Sequence, residues 1–400
     1  MKTIGLLENK VQYYAWGSPT SIPKLLGQEN PSGRPWAELW MGAHPKAPSL
    51  VNYEGRWISL KELIEQHPQP MLGPSAAARF NNTLPYLFKV LAVAKPLSIQ
   101  AHPNLQQAKT GFARENQQGI ALDAPHRNFK DDNHKPECIC AMSEFYALCG
   151  FRNISEIVAM LSESCPQGLA AELENLEKNS DSRRLRQFFM ALVSMDSNHR
   201  KRVIDETLQN LANFSNPSLE YWIRRLVSEY PTDIGILSPM LLNLVCLQPG
   251  QALFLPPGEL HGYLQGLGIE LMANSDNVLR GGLTLKHIDL PQLANVAQFK
   301  PHPIHILAAA ESGENEKIYS SPAEEFVLSA VCVSGQRCYE SSTSRSIEIL
   351  FCTAGKGTIK DCGSGDTLKI KRGNSIIIPA AVKRYAIGGQ AVFYKAAVPI

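Results

Sequence analysis

The chain has 400 residues, 44% of them hydrophobic, and its 39 Lys and Arg residues nearly balance its 37 Asp and Glu residues. This balance excludes the basic excess that binding to nucleic acid or to an anionic membrane surface would need. No run of about 18 apolar residues and no apolar segment of signal-peptide length occurs, so we expect neither a membrane span nor secretion.

Residues 1–152 form the first region, which is rich in Pro, Gly and short apolar runs. The length of the chain predicts two or three domains in total. Residues 86–94 and 97–101 cluster β-branched and aromatic residues in short lengths, which is typical of buried strands. We therefore expect this region to be mainly β.

Residues 153–239 have a different sequence pattern, in which glycine is rare and apolar residues recur at spacings of three and four. This periodicity predicts amphipathic helices, with Asn153 and Asn216 as N-caps and Pro217 at a first helical position. We interpret the segment as a helical insertion. Its two apolar faces are predicted to be Leu185, Phe188, Phe189 and Leu192, and Leu219, Trp222, Ile223, Leu226 and Val227.

Residues 241–247 again have the short apolar pattern of a β-strand. They precede the most informative segment of the sequence, residues 250–261. A short apolar run at 252–255 is followed by the turn Pro256-Pro-Gly258, and the next predicted strand opens with His261. The spacing of Gly, Pro, Gly and His resembles the second sequence motif of cupins, which are small double-sheet jelly-roll barrels. In cupins this histidine is a metal ligand.

Residues 291–400 end in short predicted strands with turns at 354–357, 362–365 and 372–374. Residues 373–384 repeat the Gly, the five-residue strand and the Pro of the first motif, but Arg384 stands where the histidine would be. Arginine cannot coordinate a cation. We therefore predict a second jelly roll without a metal site.

These patterns together predict a mainly β protein with an α insertion, made of two cupin-like jelly-roll domains and a helical domain. Residues 1–152 and 240–290 would form a discontinuous, central metal-binding domain. Residues 153–239 would form the helical insertion, and residues 291–400 the C-terminal cupin-like domain. The nine cysteines include no Cys-x-x-Cys pair and lie mostly in apolar surroundings, which predicts a reduced, cytoplasmic protein.

Four side chains form a candidate metal site. Gln100 and His102 lie at i and i+2 of a predicted strand and face the same way. Glu137 opens the apolar run 138–141, where a carboxylate is costly to bury without a lysine or a metal. With His261 they offer three neutral donors and one carboxylate, so a divalent ion would keep a net charge of about plus one and its Lewis acidity. The alternative is that each is an ordinary core or surface group.

Four longer motifs follow in order across most of the chain. They are residues 35–46 (PWAELWMGAHPK), 96–104 (PLSIQAHPN), 129–137 (FKDDNHKPE) and 261–286 (HGYLQG, continued by ELMANSDNVLRGGLTLK). These motifs resemble those of the type I mannose-6-phosphate isomerase (phosphomannose isomerase) family. The chain departs from the family pattern at Phe129, Gly262, Gly281 and Leu285, where tyrosine, alanine, alanine and proline are usual.

The resemblance implies the same three-part architecture and one zinc ion per chain, bound by Gln100, His102, Glu137 and His261. It implies a small sugar phosphate as the partner, without nucleic acid or membrane, and we predict a monomer. The family's phosphate-contacting positions correspond to Ser98 and Lys286. Its catalytic positions correspond to Arg280, Lys135, His134, Glu270 and Asp276.

The implied reaction interconverts mannose 6-phosphate and fructose 6-phosphate through a cis-enediol intermediate. Positive charge must stabilise the enediolate oxygens, and zinc and Arg280 are the candidates for this role. A base must act on one face of the sugar, and Lys135, His134 and Glu270 are rival candidates.

Two other functions stay open. A metal-binding cupin could sense a sugar phosphate without turning it over, although such a module has less use for Arg280 and residues 133–135. A cupin dioxygenase usually needs a histidine-rich open iron site, which Gln100 fits poorly.

Overall fold

The computed structural model describes residues 3–165, 167–178, 180–214, 216–313, 315–335 and 337–400. The elements of the first region are β1 (Gly5–Glu8), β2 (Lys10–Gln12), α1 (Ser21–Leu26), β3 (Glu38–Gly42), β4 (Leu50–Tyr53), β5 (Arg56–Ser59), α2 (Leu60–Gln66), α3 (Pro68–Leu72), α4 (Pro74–Arg79), β6 (Tyr86–Val93), β7 (Ile99–Ala101), α5 (Leu105–Gln117), β8 (Glu137–Ala141) and β9 (Phe145–Phe151). The predicted strands β6 and β7 are confirmed, and Glu137 opens β8 as expected.

Helices α2 to α5 were not predicted. The first three have only five to seven residues and are separated by the single residues His67 and Gly73, so none is long enough to display a helical period. Helix α5 did carry a signal, because Asn104 and Gln107 form a reciprocal capping box at its start.

The predicted helical insertion is confirmed. Its elements are α6 (Ile154–Ser164), α7 (Ala170–Lys178), α8 (Ser182–Val193), α9 (Ser197–Asn210), a 3₁₀ turn (Leu211–Asn213), α10 (Pro217–Glu229), a second 3₁₀ turn (Ile234–Leu237) and α11 (Ser238–Leu241). The predicted apolar faces of α8 and α10 are buried, except that Val227 is half-buried. Asn216 caps α10 through the backbone N–H groups of Ser218 and Leu219. Asn153 occupies the N-cap position of α6, but its side chain does not cap the helix.

Strands dominate the rest of the chain. The elements are β10 (Leu242–Leu247), β11 (Ala252–Leu255), β12 (His261–Ala273), β13 (Leu279–Gly282), α12 (Leu290–Val296), β14 (Ile306–Leu307), β15 (Ala310–Glu311), β16 (Glu316–Tyr319), β17 (Val327–Val333), β18 (Tyr339–Glu340), β19 (Glu348–Asp361), β20 (Thr367–Lys371), β21 (Ser375–Ile378) and β22 (Tyr385–Ala397). As predicted, β12 opens at His261, and β21 is the strand within the second motif. The turn predicted at 354–357 is wrong, because β19 runs through it with a bulge between Cys352 and Ala354.

The strands form two large antiparallel sheets. The central sheet has the order β14-β11-β8-β12-β6-β3-β2, with β7, β9, β10 and β13 attached to it. The C-terminal sheet has the order β15-β16-β17-β22-β19-β21-β1-β4-β5, with β18 and β20 attached. Strands β1, β4 and β5 thus join a sheet formed mostly by residues after 310, and the predicted domain boundaries stay a prediction.

One apolar core lies between the two sheets and includes Phe88 and Val90 of β6 together with Ile349 and Phe351 of β19. A second core joins the helical insertion to the central sheet. Among the described residues, no helix combines the length and apolar character needed to cross a bilayer.

Helix α5 packs tightly against the segment that precedes β8. A Cβ atom at Gly111 would lie 2.5 Å from ring atoms of Phe129, which is itself buried. The absence of a side chain at Gly111 therefore lets the ring lie on the helix, next to Lys130.

We expect Gly111→Ala to lower the free energy of unfolding by about 1–3 kcal/mol, because the added methyl overpacks this contact. The roughly 1 kcal/mol gain in helix propensity offsets only part of the clash. Urea denaturation would measure the change, with Lys109→Ala on the exposed side of the same helix as the control. An increase in stability would contradict the tight contact.

Candidate active site

The strand register brings predicted site residues from three strands into one row. Gln100 in β7 lies opposite His261 in β12 and opposite Arg280 in β13. Directly opposed residues of antiparallel strands project from the same face, with Cβ atoms about 4.5–5.5 Å apart. Gln100 therefore shares one face of the sheet with His261 and Arg280.

Three of the four predicted metal ligands converge in the interior of the central sheet. His102, Glu137 and His261 are almost fully buried, and one ligand atom from each lies within 4.8 Å of the others. Nε2 of His102 lies 3.4 Å from Oε1 of Glu137, and Nε2 of His261 lies 3.3 Å from Oε2. Donors about 2.0–2.1 Å from a tetrahedral zinc ion are about 3.3 Å apart, so this spacing fits one ion.

Backbone carbonyls orient both imidazole rings. Nδ1 of His102 lies 2.7 Å from the carbonyl oxygen of Asn277, and Nδ1 of His261 lies 2.9 Å from that of Glu259. A proton on Nδ1 leaves Nε2 with a free lone pair. Within the described residues, both Nε2 atoms and Oε2 of Glu137 lack a hydrogen-bond partner. Buried acceptors without partners are costly, so this donor set fits a divalent metal ion.

The electrostatics suits a neutral His102 and an ionised Glu137. Burial, followed by the charge of Lys135, lowers the pKa of His102 to about 4, so its ring is neutral at pH 7. Burial opposes ionisation of Glu137, but Lys135 and then the histidines outweigh it and hold the pKa of Glu137 well below its usual range. Nζ of Lys135 lies 3.0 Å from Oε1 of Glu137 and is also buried. The structure therefore places predicted Lys135 directly at the cluster.

A cavity of about 440 Å³ has Arg280 and Asp276 on its wall, together with Lys130 and Lys286. Burial lowers the pKa of Arg280. Burial, followed by the charges of Arg280 and Lys130, lowers the pKa of Lys286. Within the described part of the chain, none of these three cations forms an ion pair within 4.0 Å. Three neighbouring cations without carboxylate partners favour an anionic ligand in the cavity.

Ser98, the other predicted phosphate contact, is half-buried just before β7. It is not among the described residues that line this cavity. The structure therefore brings Lys286 and Arg280 together but does not place Ser98 on the same wall.

Asp276 lies on the cavity wall and is held by two residues from the loop after β3. Its Oδ2 atom lies 2.7 Å from Nζ of Lys46 and 3.6 Å from Nε2 of His44. Burial opposes ionisation of Asp276, but Lys46 and then His44 outweigh it and lower its pKa. Burial lowers the pKa of His44 to about 4. Asp276 is therefore an anion among cationic and polar neighbours.

The other two predicted catalytic residues are already paired. Nε2 of His134 lies 2.6 Å from Oε1 of Glu325, which precedes β17. Glu270 in β12 accepts hydrogen bonds from Nζ of Lys89 at 2.9 Å and from the hydroxyl of Tyr263 at 3.1 Å. Burial raises the pKa of Glu270, and Lys89 opposes this. None of the three rival bases, His134, Glu270 and Lys135, is among the described residues that line the 440 Å³ cavity.

The sequence interpretation assigned no role to His44, Lys46, Lys89 or Asn277. His44 and Lys46 stand in the motif at residues 35–46, although nothing in that motif identifies their partner. Lys89 did carry a signal, because a lysine in the middle of a buried strand needs a carboxylate partner. Asn277 is recognisable only from its contacts.

Comparison with known proteins gives a consistent set of similarities. Residues 4–154 match the family model described as phosphomannose isomerase type I, catalytic domain, and residues 315–396 match that of the mannose-6-phosphate isomerase cupin domain. The chain is 42% identical over 387 residues to the mannose-6-phosphate isomerase of Escherichia coli K12, covering 96% of this chain and 97% of that protein. It is 34% identical to the Bos taurus protein of the same name, covering 92% of each.

The fold is also similar to a crystal structure of mannose 6-phosphate isomerase from Salmonella typhimurium bound to substrate and to a zinc atom. The TM-score is 0.92 at 38% identity, covering 99% of this chain and 100% of that chain. A zinc-bound holo structure of mannose 6-phosphate isomerase gives the same TM-score, identity and coverage.

Proposed function

The chain belongs to the type I phosphomannose isomerase family, and on this premise we propose that it interconverts mannose 6-phosphate and fructose 6-phosphate. The observation that carries the proposal is the buried group of His102, Glu137 and His261, with Arg280 opposite Gln100 on the wall of a cavity that also holds Lys130 and Lys286. The substrate-bound relative from Salmonella typhimurium supports the same substrate class.

We propose that Gln100, His102, Glu137 and His261 hold one zinc ion per chain. The free Nε2 lone pairs and the unpaired carboxylate oxygen support this assignment, as does zinc in the related structures. When bound, zinc would supply Lewis acidity toward a sugar oxygen. The second motif offers no comparable donor, since Arg384 is exposed and its closest charged partner is Glu340 at 4.0 Å.

The chemical step moves one proton between two carbons of the open-chain sugar. Removal of the C2 proton, with protonation of O1, converts the aldose to a cis-enediol; protonation of C1, with loss of the O2 proton, then yields the ketose. We propose that Nζ of Lys135, as the neutral amine after it has released a proton to solvent, takes the C2 proton and returns it to C1, because it is the rival base that contacts Glu137 of the metal cluster. His134 and Glu270 would instead position their neighbours through the pairs with Glu325 and Lys89.

Arg280 and Asp276 would act on the sugar oxygens. The guanidinium of Arg280 is half-buried and preorganised at the cavity wall, so it can stabilise charge that develops on an enediolate oxygen. The Asp276 carboxylate, ionised and fixed by Lys46, can accept a hydrogen bond from a sugar hydroxyl at the cavity wall. Both residues therefore bind and orient the reacting end of the sugar.

The far end of the substrate carries the phosphate, which we assign to Lys286, with Lys130 adding positive charge. Ser98, the family's other phosphate-contacting position, does not line this cavity among the described residues. Binding energy from the phosphate can then orient the reacting carbons. The predicted monomeric state and cytoplasmic location stay predictions.

Zinc-loaded protein should convert mannose 6-phosphate to fructose 6-phosphate in a coupled assay and should be inactive toward unphosphorylated mannose at the same concentration.

Lys286→Ala should lower kcat/KM for mannose 6-phosphate by about 10- to 100-fold, because hydrogen bonds to charged groups contribute roughly 1.5–3 kcal/mol. Lys369→Ala, an exposed lysine in β20, is the control. Equal turnover of both sugars would contradict the phosphate assignment, and no turnover with zinc present would favour a sugar-phosphate sensor.

A further inference from the structure

We propose that Asn277 is a positioning residue that couples the metal ligand His102 to the loop that carries Lys135. The inference rests on the proposed function and extends it, because it assigns a role to a residue that contacts neither the ion nor the sugar in that proposal. Asn277 lies between two residues of the cavity wall, Asp276 and Val278, yet it is itself fully buried.

The side-chain amide of Asn277 is saturated by the backbone of the loop at residues 130–133. Its Oδ1 atom accepts hydrogen bonds from the N–H groups of Lys130 at 2.6 Å and Asp131 at 3.2 Å. Its Nδ2 atom donates to the carbonyl oxygens of Asp131 and Asn133, both at 2.9 Å, and to Oδ1 of Asp131 at 3.1 Å. The two N–H donors face Oδ1 and the three oxygen acceptors face Nδ2, so only one orientation of the amide satisfies them.

The main chain of Asn277 holds the metal site. Its carbonyl oxygen accepts the Nδ1 hydrogen bond of His102 at 2.7 Å, which directs Nε2 of that ring toward Glu137. Groups that orient a metal ligand typically account for about 10- to 100-fold in metal affinity. One residue thus fixes the ring of a metal ligand with its backbone and the neighbouring loop with its side chain.

A second layer joins the same two segments. The carboxylate of Asp131 accepts hydrogen bonds from the hydroxyl of Ser275 at 2.7 Å and from the N–H of Asp276 at 2.7 Å. These hydrogen bonds join residues 130–133 to residues 275–277, and His134 and Lys135 follow the first segment directly in the chain. Displacing the side chain of Asn277 should shift the loop at residues 130–133 and the ring of His102 together.

The most direct test is N277D, which keeps the shape of the side chain but replaces its donor by an acceptor. That acceptor would face two carbonyl oxygens and the Asp131 carboxylate. We expect zinc affinity, measured by chelator competition on the metal-free protein, to fall about 10- to 100-fold, and kcat of the zinc-saturated variant to fall at least tenfold. N277S, which is small and neutral, should show the same direction of change. Either variant can test the proposal, provided that its circular dichroism spectrum shows that it is folded.

The control is Ser346→Ala, which removes two buried side chain–backbone hydrogen bonds to Val398 in the C-terminal region. It should lower the Tm but leave zinc affinity and kcat unchanged. A folded N277D or N277S with wild-type zinc affinity and kcat would overturn the proposal. If the wild-type protein were inactive, the proposed function would be contradicted instead. The measurement of zinc affinity would still test the role of Asn277, because it does not depend on isomerase activity.

A second measurement uses the unaltered chain. Because coupling between two sites is reciprocal, removal of zinc should speed hydrogen exchange at the amides of Lys130 and Asp131, which donate to Asn277. The amides of β21 in the C-terminal sheet should be unaffected. Unchanged exchange at residues 130 and 131 after zinc removal would also overturn the coupling.

Discussion

Replacement of His261 by alanine should remove zinc and isomerase activity together, whereas Arg280→Ala should keep the zinc and lose turnover. His261 is buried, its Nδ1 atom is held by a backbone carbonyl and its free Nε2 atom faces Glu137, so the variant loses a metal donor. Zinc affinity should fall by at least about 100-fold, since even groups that merely orient a ligand account for about 10- to 100-fold.

Arg280 lies on the same face as Gln100 but on the wall of the cavity, where its charge is available to the substrate. Loss of one preorganised group that stabilises a developing oxyanion typically lowers kcat by about 10²–10³-fold. We expect this decrease in Arg280→Ala with zinc content unchanged.

Elemental analysis after dialysis, combined with the coupled assay, would measure both quantities on the same samples. Wild-type protein should retain one zinc ion per chain, and the exposed His305→Ala should match it. Loss of zinc from Arg280→Ala, or its normal turnover, would contradict the division of roles between these residues.

Lys135→Arg should lower kcat by about 10²–10⁴-fold, the usual contribution of a general acid–base group. Lys135 has two separable properties, a positive charge 3.0 Å from Glu137 and an amine that can release a proton. Arginine keeps the charge but cannot be deprotonated in proteins. This substitution therefore removes proton transfer while leaving a cation beside the carboxylate.

The rival bases serve as matched comparisons. His134→Gln and Glu270→Gln should lower kcat less than Lys135→Arg, because each side chain is engaged with a partner other than the metal cluster. Zinc content should be measured for all three variants. If Lys135→Arg turned over normally while either comparison lost activity, the base would be His134 or Glu270.

The parts of the site that the sequence predicted are those specified by local signals. The Pro-Gly turn before β12 and the apolar run after Glu137 each mark where a strand begins, so the positions of His261 and Glu137 followed from neighbouring residues. A local signal was misleading at residues 354–357, where the glycines predicted a turn. Those glycines belong to a bulged strand, which is defined by its pairing with β20 and β22 and not by its own sequence.

The remaining features depend on residues distant in the sequence. The row of Gln100, His261 and Arg280 exists only through strand register, and the pairing of His134 with Glu325 joins segments almost 200 positions apart. Likewise, no local pattern distinguishes Asn277 from an ordinary loop asparagine. Such contacts arise from tertiary packing. A sequence motif shows that its residues matter, but it does not show which distant residues they contact.

The place of β1 in the C-terminal sheet has a consequence for how the protein is made. Residues 5–7 pair with residues 375–377, and β1 lies between β21 and β4. At about 5–20 residues per second, a ribosome needs roughly 20–80 s to travel between these partners. Throughout that interval one edge of β1 has no strand to bond, so the nascent chain carries an open strand edge that invites pairing with other chains. Completion of this sheet is therefore a late step, which must wait until β21 has been synthesised.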